Sequence, residues 1–287
     1  MALPQRKLHS LEGIVALGAL FLVLALAVGF AQAEELHKVH LRSASVLVQD
    51  AVSGEIVLNK NSDAVLPIAS ITKLMTAMVM LDRGLDPQQR VVLSSDDVDA
   101  LKGSRSRLRT GSVLTRDQLL LLALMASENR AAHALARTHP GGLDVFVAAM
   151  NEKAAALGMK DSRFVDPTGL SSGNVSSASD LAKLVRAAHG YELIRQYSTT
   201  DRVTVTAFGR PVAYRNTNGL VRAGQWDIGL SKTGYIREAG RCLVMRVRVA
   251  SKDLIVVLLD SWGRQSRIGD ANRIRKWLES SAAGPRT

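Results

Sequence analysis

The chain has 287 residues, of which 47% are hydrophobic and 4% aromatic, and it carries 37 Lys and Arg against 26 Asp and Glu. This length and composition predict a globular protein with a sizeable core. The single cysteine, Cys242, excludes an intramolecular disulfide, a cysteine-rich zinc site and an iron–sulfur cluster. The formal charge of +11 favours an anionic partner, which could be nucleic acid, a membrane surface or another polyanion.

The amino-terminal segment, residues 1–33, has the order of a secretory signal peptide. Arg6 and Lys7 precede an uncharged apolar run over residues 13–30, and the small residues of Ala31-Gln32-Ala33 then form a cleavage site. The run is also nearly long enough to span a bilayer, so an uncleaved anchor is the alternative. We expect a periplasmic protein whose mature part is residues 34–287.

Export changes the meaning of the positive charge. The signal segment contributes only +1, so the mature chain keeps +10 of the +11. An exported basic protein meets anionic envelope polymers and phospholipid headgroups before it meets nucleic acid. We therefore expect an envelope polymer as partner, with peripheral membrane association as a second use of the charge, and no nucleic acid. Lys and Arg that only maintain solubility are the alternative.

Strands are predicted near both ends of the mature chain. Residues 45–48 and 55–58 read as a hairpin, because apolar runs flank a turn that contains Gly54. Residues 245–249 and 254–259 read as a second hairpin, and residues 267–278 have the apolar spacing of a terminal helix. Strands from the two ends are expected to form one antiparallel sheet.

The middle of the chain has helical patterns. Capping boxes begin two helices, Thr115 with Gln118 before residues 119–125 and Ser177 with Asp180 before residues 181–188, and a third helix covers residues 145–157. The sequence predicts an α/β (α+β) fold with a flanked antiparallel sheet and an inserted, mainly helical subdomain. The sheet subdomain is expected over about 36–92 and 227–287, and the helical one over about 93–226.

The first motif with chemical meaning is Ser70-Ile71-Thr72-Lys73, a Ser-x-x-Lys pattern. About one such match is expected by chance, so its context matters. Pro67 precedes it and an apolar run follows, which places Ser70 in the first turn of a buried helix. A spacing of three puts Ser70 and Lys73 on one helix face. A desolvated lysine loses its proton more easily, so Lys73 could act as the base for the Ser70 hydroxyl.

Lys232-Thr233-Gly234 is a rarer motif, with about 0.04 occurrences expected by chance. It precedes the second predicted hairpin, where a sheet edge could bind an extended substrate. The lysine and threonine offer a charge and a hydroxyl to a carboxylate, and the glycine permits close approach. Ser127 and Asn129 supply a second hydroxyl and an amide after the apolar helix. Their Ser-x-Asn pattern is weak by itself, because residues 172–174 repeat it.

In this order, the three motifs resemble the signature of the penicillin-recognising serine enzymes. The resemblance extends to the D-alanyl-D-alanine carboxypeptidase and endopeptidase family through residues 164–170, 177–182, 216–218 and 232–245, and it covers about 36–280. The last segment is most similar to the small endopeptidases of the penicillin-binding protein 7 type. The resemblance implies a β-lactamase/DD-peptidase-like fold and a single catalytic domain, without the extra β-rich domain of the larger carboxypeptidases.

The resemblance also implies a role for each motif residue in turn. Ser70 would attack the D-alanyl carbonyl to form an acyl-enzyme, with Lys73 as general base. Ser127 would pass the proton to the leaving amine, and Asn129 would hold Lys73 and the substrate amide.

On the substrate side, Lys232 and Thr233 would bind the carboxylate of the leaving D-centre. The backbone N–H groups of Ser70 and Tyr235 would form the oxyanion hole beside Gly234. The implied partners are peptidoglycan stem peptides, with β-lactam antibiotics as covalent inhibitors and no cofactor or metal.

A class A β-lactamase is the nearest rival, and such enzymes carry a deacylating Glu followed four residues later by Asn. Between Ser127 and Lys232 the glutamates are Glu128, Glu152 and Glu192, and the residues at that offset are Ala132, Ala156 and Gln196. We therefore expect slow release of bound penicillin.

Three other hypotheses receive less support. A catalytically dead envelope-binding protein is disfavoured by the intact motifs. A Ser-His-Asp triad lacks a histidine in a convincing nucleophile context, and a metal hydrolase lacks zincin spacing.

Endopeptidase and carboxypeptidase activities both remain open, because both scissile bonds end on a D-centre with a carboxylate. The similarity over residues 235–245 favours an endopeptidase that cuts D-Ala to diaminopimelate cross-links during cell wall remodelling.

Overall fold

The computed structural model describes residues 39–282, so the predicted signal segment lies outside the described residues. From Leu41 to the last described residue the chain belongs to one compact unit. Within the described range, no helix is both long enough and apolar enough to cross a membrane.

A five-stranded antiparallel sheet joins the two ends of the described chain, as the sequence predicted. Its strands are β1 (Ser43–Asp50), β2 (Ile56–Lys60), β9 (Asp227–Ile236), β10 (Gly240–Val249) and β11 (Lys252–Ser261), in the order β2-β1-β11-β10-β9. Consecutive residues of β11 from Leu254 to Leu259 are all buried, so both faces of the sheet are covered. Strand β9 forms one edge, which leaves one side of its backbone unpaired within the sheet.

Eight α-helices lie within the described residues. They are α1 (Thr72–Asp82), α2 (Arg116–Met125), α3 (Asn129–Arg137), α4 (Gly142–Ala156), α5 (Ala178–Ala188), α6 (Glu192–Thr199), α7 (Gly219–Ala223) and α8 (Ser266–Ala282). Helix α1 is buried from Thr72 to Met80 and packs among α2, α3 and α4. Helices α5 and α8 both pack against β1, β10 and β11, so they supply the cover that the buried strands require. This mixture agrees with the predicted α/β (α+β) class, an antiparallel sheet flanked by helices.

Local sequence signals account for several element ends. The Thr115 hydroxyl accepts a hydrogen bond from the Gln118 backbone and the Gln118 side chain accepts one from the Thr115 backbone, so the predicted capping box begins α2. The Ser177 hydroxyl caps α5 by accepting from the Asp180 amide, but the Asp180 carboxylate accepts from the Asp161 backbone and the Ser162 hydroxyl instead, so only half of this second predicted capping box forms. Cys242 is fully buried in β10, and burial raises the pKa of its thiol to about 11.

The part of the chain between β2 and β9 also contains short strand pairs that the sequence analysis did not predict. They are β3 (Leu66–Pro67) with β6 (Val175–Ser176), β4 (Arg90–Val92) with β5 (Val113–Thr115), and the hairpin of β7 (Arg202–Ala207) with β8 (Arg210–Arg215). The β7–β8 hairpin turns at Phe208 and Gly209, which both have positive φ angles. A turn of this kind normally carries Asn-Gly or Asp-Gly, so Phe-Gly is a weak sequence signal.

Candidate active site

Ser70 lies in a short 3₁₀ turn, Ala69–Ile71, that leads directly into α1. Ala69 has a φ of 48°, which is a costly conformation for a residue with a Cβ atom. The next residue, Thr72, stabilises this strained turn: its hydroxyl donates a hydrogen bond of 2.8 Å to the Ala69 carbonyl. Ser70 itself is half-buried and faces a cleft.

Lys73 lies one helical turn further on and is fully buried. Its Nζ atom is 2.9 Å from Ser70 Oγ, 2.7 Å from Asn129 Oδ1 and 2.6 Å from the Thr168 carbonyl oxygen. The last two oxygens can only accept hydrogen bonds. A neutral amine has two N–H groups and one lone pair, so donating to both oxygens directs its lone pair at the Ser70 hydroxyl. The geometry is that of a base poised for Ser70.

The environment of Lys73 favours this neutral form. Burial lowers the pKa of its amine from 10.5 to about 7, and the negative charges of Asp166, Glu128 and Asp99 oppose that change only in part. Glu128 is itself buried, and this burial raises the pKa of its carboxyl. The amine is therefore available as a base at physiological pH.

The rate of Ser70 acylation is expected to rise with pH through about 7 and to level off above that value. Only the neutral amine has a lone pair, and because its pKa is lowered, this form is lost as the pH falls below about 7. The measurement is the rate constant for acylation by a fluorescent penicillin between about pH 5 and pH 10. A midpoint at about 10, the value of an exposed lysine, would contradict the assignment.

Ser127 lies between α2 and α3 and has a φ of 57°, so the backbone is also strained at this second serine. Lys232 Nζ donates to Ser127 Oγ at 2.8 Å and to the Thr233 carbonyl at 3.1 Å. Lys232 is almost fully buried, and burial with the nearby Lys73 and Arg267 charges lowers its pKa well below the ordinary value. The structure thus connects the Ser-x-Asn and Lys-Thr-Gly motifs through one hydrogen bond.

Strand β9 carries the Lys-Thr-Gly motif along the cleft. A Cβ atom on Gly234 would lie 2.8 Å from the Ile68 carbonyl and 3.2 Å from the Ser70 amide nitrogen, so only glycine fits here without a shift. Thr233 Oγ1 is 2.6 Å from Thr217 Oγ1, and the Tyr235 side chain is exposed at the rim. The strand edge therefore passes directly beside the amide of Ser70.

A loop over residues 165–174 completes the environment of Lys73. The Asp166 carboxylate accepts hydrogen bonds from the backbone N–H groups of Thr168, Gly169 and Ser171 at 2.6 to 3.0 Å. Asn174 Nδ2 donates to Thr72 Oγ1 at 3.1 Å and so attaches the loop to α1. These contacts hold the Thr168 carbonyl against Lys73. The sequence analysis used this segment only as a family signature and missed its structural role.

The cleft has a volume of about 490 Å³. Predicted residues that line it are Ser70, Ser127, Asn129, Thr233, Gly234 and Tyr235, whereas Lys73 and Lys232 reach it through their serine partners. Three cations also line it, Lys102, Arg237 and Arg267, and no carboxylate does so in the described part of the chain. The cleft therefore suits an anionic substrate.

Arg267 is the most informative residue that the sequence analysis missed. It lies in the first turn of α8, and its Nη1 donates to the carbonyls of Gly234 and Cys242 at 2.8 and 3.1 Å. Burial lowers the pKa of its guanidinium to about 10. The sequence predicts only that Arg267 lies in a terminal helix, because nothing local marks an arginine 33 residues after Gly234 as its neighbour.

Among residues 39–282, no group of three or more His, Cys, Asp and Glu side chains is placed to hold a metal ion.

Comparisons with known proteins agree with this geometry. The sequence profile of the D-alanyl-D-alanine carboxypeptidase family matches residues 31–263. A D-alanyl-D-alanine endopeptidase from Pseudomonas aeruginosa is 49% identical over 243 residues, which cover 84% of this chain and 78% of the relative. The Escherichia coli protein of the same name is 44% identical over 248 residues, covering 85% and 80%.

Solved structures show the same likeness. The Streptomyces DD-transpeptidase superposes with a TM-score of 0.77 at 27% identity, over 84% of this chain and 98% of that one. A D-alanyl-D-alanine carboxypeptidase from Mycobacterium tuberculosis superposes with a TM-score of 0.75 at 26% identity, over 84% and 92%. With the family profile, the relatives and the fold in agreement, this chain belongs to the D-alanyl-D-alanine carboxypeptidase family of serine peptidases.

Proposed function

We propose that the chain is a D-alanyl-D-alanine endopeptidase that hydrolyses D-Ala to diaminopimelate cross-links of peptidoglycan through an acyl-enzyme on Ser70. The observation that carries the proposal is the buried amine of Lys73, 2.9 Å from Ser70 Oγ with its other partners limited to hydrogen-bond acceptors. The endopeptidase names of the 49% and 44% identical relatives support the choice of bond.

Acylation starts at the Ser70 hydroxyl. Lys73 takes its proton while Oγ bonds to the D-alanyl carbonyl carbon, and the carbonyl electron pair moves to the oxygen. The backbone N–H groups of Ser70 and Tyr235 stabilise that oxyanion beside the small Gly234. The proposal needs β9 and the nucleophile turn to lie close together, and the short Gly234 to Ser70 approach supports this.

Collapse of the intermediate breaks the peptide bond and needs a proton for the leaving amine. Ser127 passes to it the proton that Lys73 took from Ser70, so Ser127 is again a hydroxyl and Lys73 is again neutral, while Lys232, which donates to Ser127 Oγ, stabilises the negative charge that develops on that oxygen during the transfer. Asn129 orients Lys73 throughout. Water then attacks the Ser70 ester, Lys73 accepts a proton of the water, and the proton returns to Ser70 Oγ as the peptide leaves.

The positive end of the cleft binds the carboxylate on the leaving D-centre. Lys232 and Thr233 are the residues implied by the motif, and Arg267, which lines the cleft, adds a cation beside Gly234. β-Lactams acylate the same serine and should be released slowly, because no carboxylate lines the described cleft to activate a water for them.

The site of action is part of the proposal. The endopeptidase relatives are bacterial, and peptidoglycan lies outside the cytoplasmic membrane. An enzyme that acts on peptidoglycan must therefore be exported. We propose that residues 1–33 direct the chain to the periplasm and that residues 34–287 act as one catalytic domain, with a sheet part and an inserted helical part.

Purified cross-linked muropeptide dimers and monomeric pentapeptides test the proposal. The wild-type chain is expected to convert dimers to monomers and to leave the pentapeptide intact, while the Ser70→Ala variant cleaves neither substrate. Release of terminal D-Ala with dimers left intact would instead identify a carboxypeptidase. A chain that is acylated by penicillin but cleaves neither substrate would be a binding protein.

A further inference from the structure

A strongly basic groove lies next to the active-site cleft. It is bounded by residues 106–112 on one side and by the tip of the β7–β8 hairpin on the other, and its volume is about 600 Å³. We propose that this basic groove binds the carboxylates of the second stem peptide of a cross-linked substrate, the one that extends away from the scissile bond. The inference rests on the proposed endopeptidase function and deepens it.

The charge of the groove comes from two segments that contain no acidic residue. Residues 102–112 carry Lys102, Arg105, Arg107 and Arg109, all exposed, and the hairpin tip adds the exposed Arg210. Arg107, Arg109 and Arg210 line the groove directly. The ion pairs formed within residues 39–282 include Lys102 with Glu238 but leave Arg109 and Arg210 without a carboxylate. Two cations of the groove are thus available to a ligand.

The basic segment is held in place by the catalytic motif itself. Asn129 Nδ2 donates to Ser104 Oγ at 2.9 Å, and Arg130 Nη1 donates to the Leu108 carbonyl at 2.7 Å. Arg107 packs over the Tyr214 ring with its guanidinium carbon 4.1 Å from the ring centre, which ties the segment to β8. The backbone that carries these arginines is thus fixed before a ligand arrives, so binding does not have to order the segment itself.

The groove lies close to the cleft along the chain. Ser104 lines the cleft and Ser106 lines the groove, and two residues span at most about 7 Å of chain. A peptide that leaves the cleft past Ser104 therefore reaches the groove within about two to three residues of extended chain. The surface belongs to the same binding track as the nucleophile.

Charge complementarity identifies the occupant. Peptidoglycan stem peptides carry free carboxylates, and exposed guanidinium groups bind carboxylates with two parallel hydrogen bonds. A cross-linked substrate has two stem peptides, of which one fills the cleft, whereas a monomeric pentapeptide has none left for the groove. The groove would thus favour cross-linked over monomeric substrate.

The test replaces the two unpaired cations, Arg109 and Arg210, with glutamine in the Ser70→Ala background, and measures binding to purified peptidoglycan sacculi by co-sedimentation. The matched control replaces Arg83 and Arg248, which removes the same charge. Arg83 follows α1 and lies about 16 Å from the start of that helix, because α1 has 11 residues. Arg248 lies at the opposite end of β10 from Arg241.

We expect the groove variant to bind sacculi about fivefold to tenfold more weakly than the control, and a glutamate version to bind more weakly still. In the active background, acylation by a small penicillin should stay unchanged, which shows that the cleft is intact. Equal sedimentation of the groove and control variants would overturn the proposal. The proposal would also be overturned if the groove variant bound sacculi as well as the control does but bound phosphatidylglycerol vesicles more weakly, because the groove would then contact a membrane.

Binding is measured without cleavage, so the two proposals fail independently. If wild-type chain leaves dimers intact but binds sacculi through Arg109 and Arg210, the endopeptidase assignment is wrong and the groove stands as a polymer site. If dimers are cleaved equally by the groove variant and the control at low and high salt, the groove makes no contact with the second stem peptide.

Discussion

Replacing Lys73 with arginine is expected to slow acylation of Ser70 by about 10²- to 10⁴-fold, the usual contribution of a general base. Arginine keeps the positive charge and the hydrogen-bonding capacity, but its guanidinium does not lose a proton in proteins. The general-base role requires a deprotonated amine, and the Asn129 and Thr168 oxygens around Nζ can accept its two N–H groups, which leaves the lone pair for Ser70.

The measurement is the second-order rate constant for acylation by a fluorescent penicillin, with thermal unfolding recorded for each variant. Lys153→Arg is the matched control, because Lys153 pairs with Asp82 on the outside of the fold. A Lys73→Arg variant that folds and retains a rate within about fivefold of wild type would show that Lys73 is not the base.

Replacing Gly169 with alanine is expected to lower the free energy of unfolding by about 3 kcal/mol or more and to reduce acylation in the folded fraction. Gly169 has a φ of 78°, and a Cβ atom there would lie 2.0 Å from the Ala69 carbonyl oxygen and 2.9 Å from the Ser70 amide nitrogen. The 165–174 loop would have to move outward, and the Thr168 carbonyl would leave Lys73.

The Gly169→Ala effect has two causes, the strain of a positive φ angle and the close approach of the new Cβ atom to Ala69. The variant Gly158→Ala separates them. Gly158 also has a positive φ, 67°, but a Cβ atom there would meet nothing within 4 Å. Its replacement should cost only the backbone strain, about 1 to 2 kcal/mol, with no effect on acylation. Urea unfolding and penicillin labelling measure both quantities. Equal losses in the two variants would mean that the close approach to Ala69 has no energetic importance.

The sequence predicted best where the signal is local. The Thr115 and Ser177 caps begin helices as expected, since a cap depends on residues three apart. The spacing of Ser70 and Lys73 likewise placed both on one helix face, and the structure has them in contact. In the β7–β8 hairpin the local signal was weak, because Phe208 occupies a turn position that Asn or Asp usually takes, and the hairpin was missed.

What the sequence alone determined is therefore the inventory of chemistry: a Ser-x-x-Lys helix start, a Lys-Thr-Gly strand, an excess of positive charge, and the expectation of one sheet from both chain ends. Each rests on residue type, periodicity or spacing over a few positions. Tertiary structure alone decided how these parts meet. Lys232 donates to Ser127 across 105 residues of chain, and Thr168 reaches Lys73 across 95.

The physical reason is that such contacts depend on the packing of whole elements. No local pattern distinguishes Arg267 from other arginines or marks residues 102–112 as the wall of a groove. Burial of α1 among its neighbouring helices brings the Thr168 carbonyl to Lys73, desolvates the amine and lowers its pKa to about 7. The same packing leaves Arg109 and Arg210 facing solvent beside the cleft.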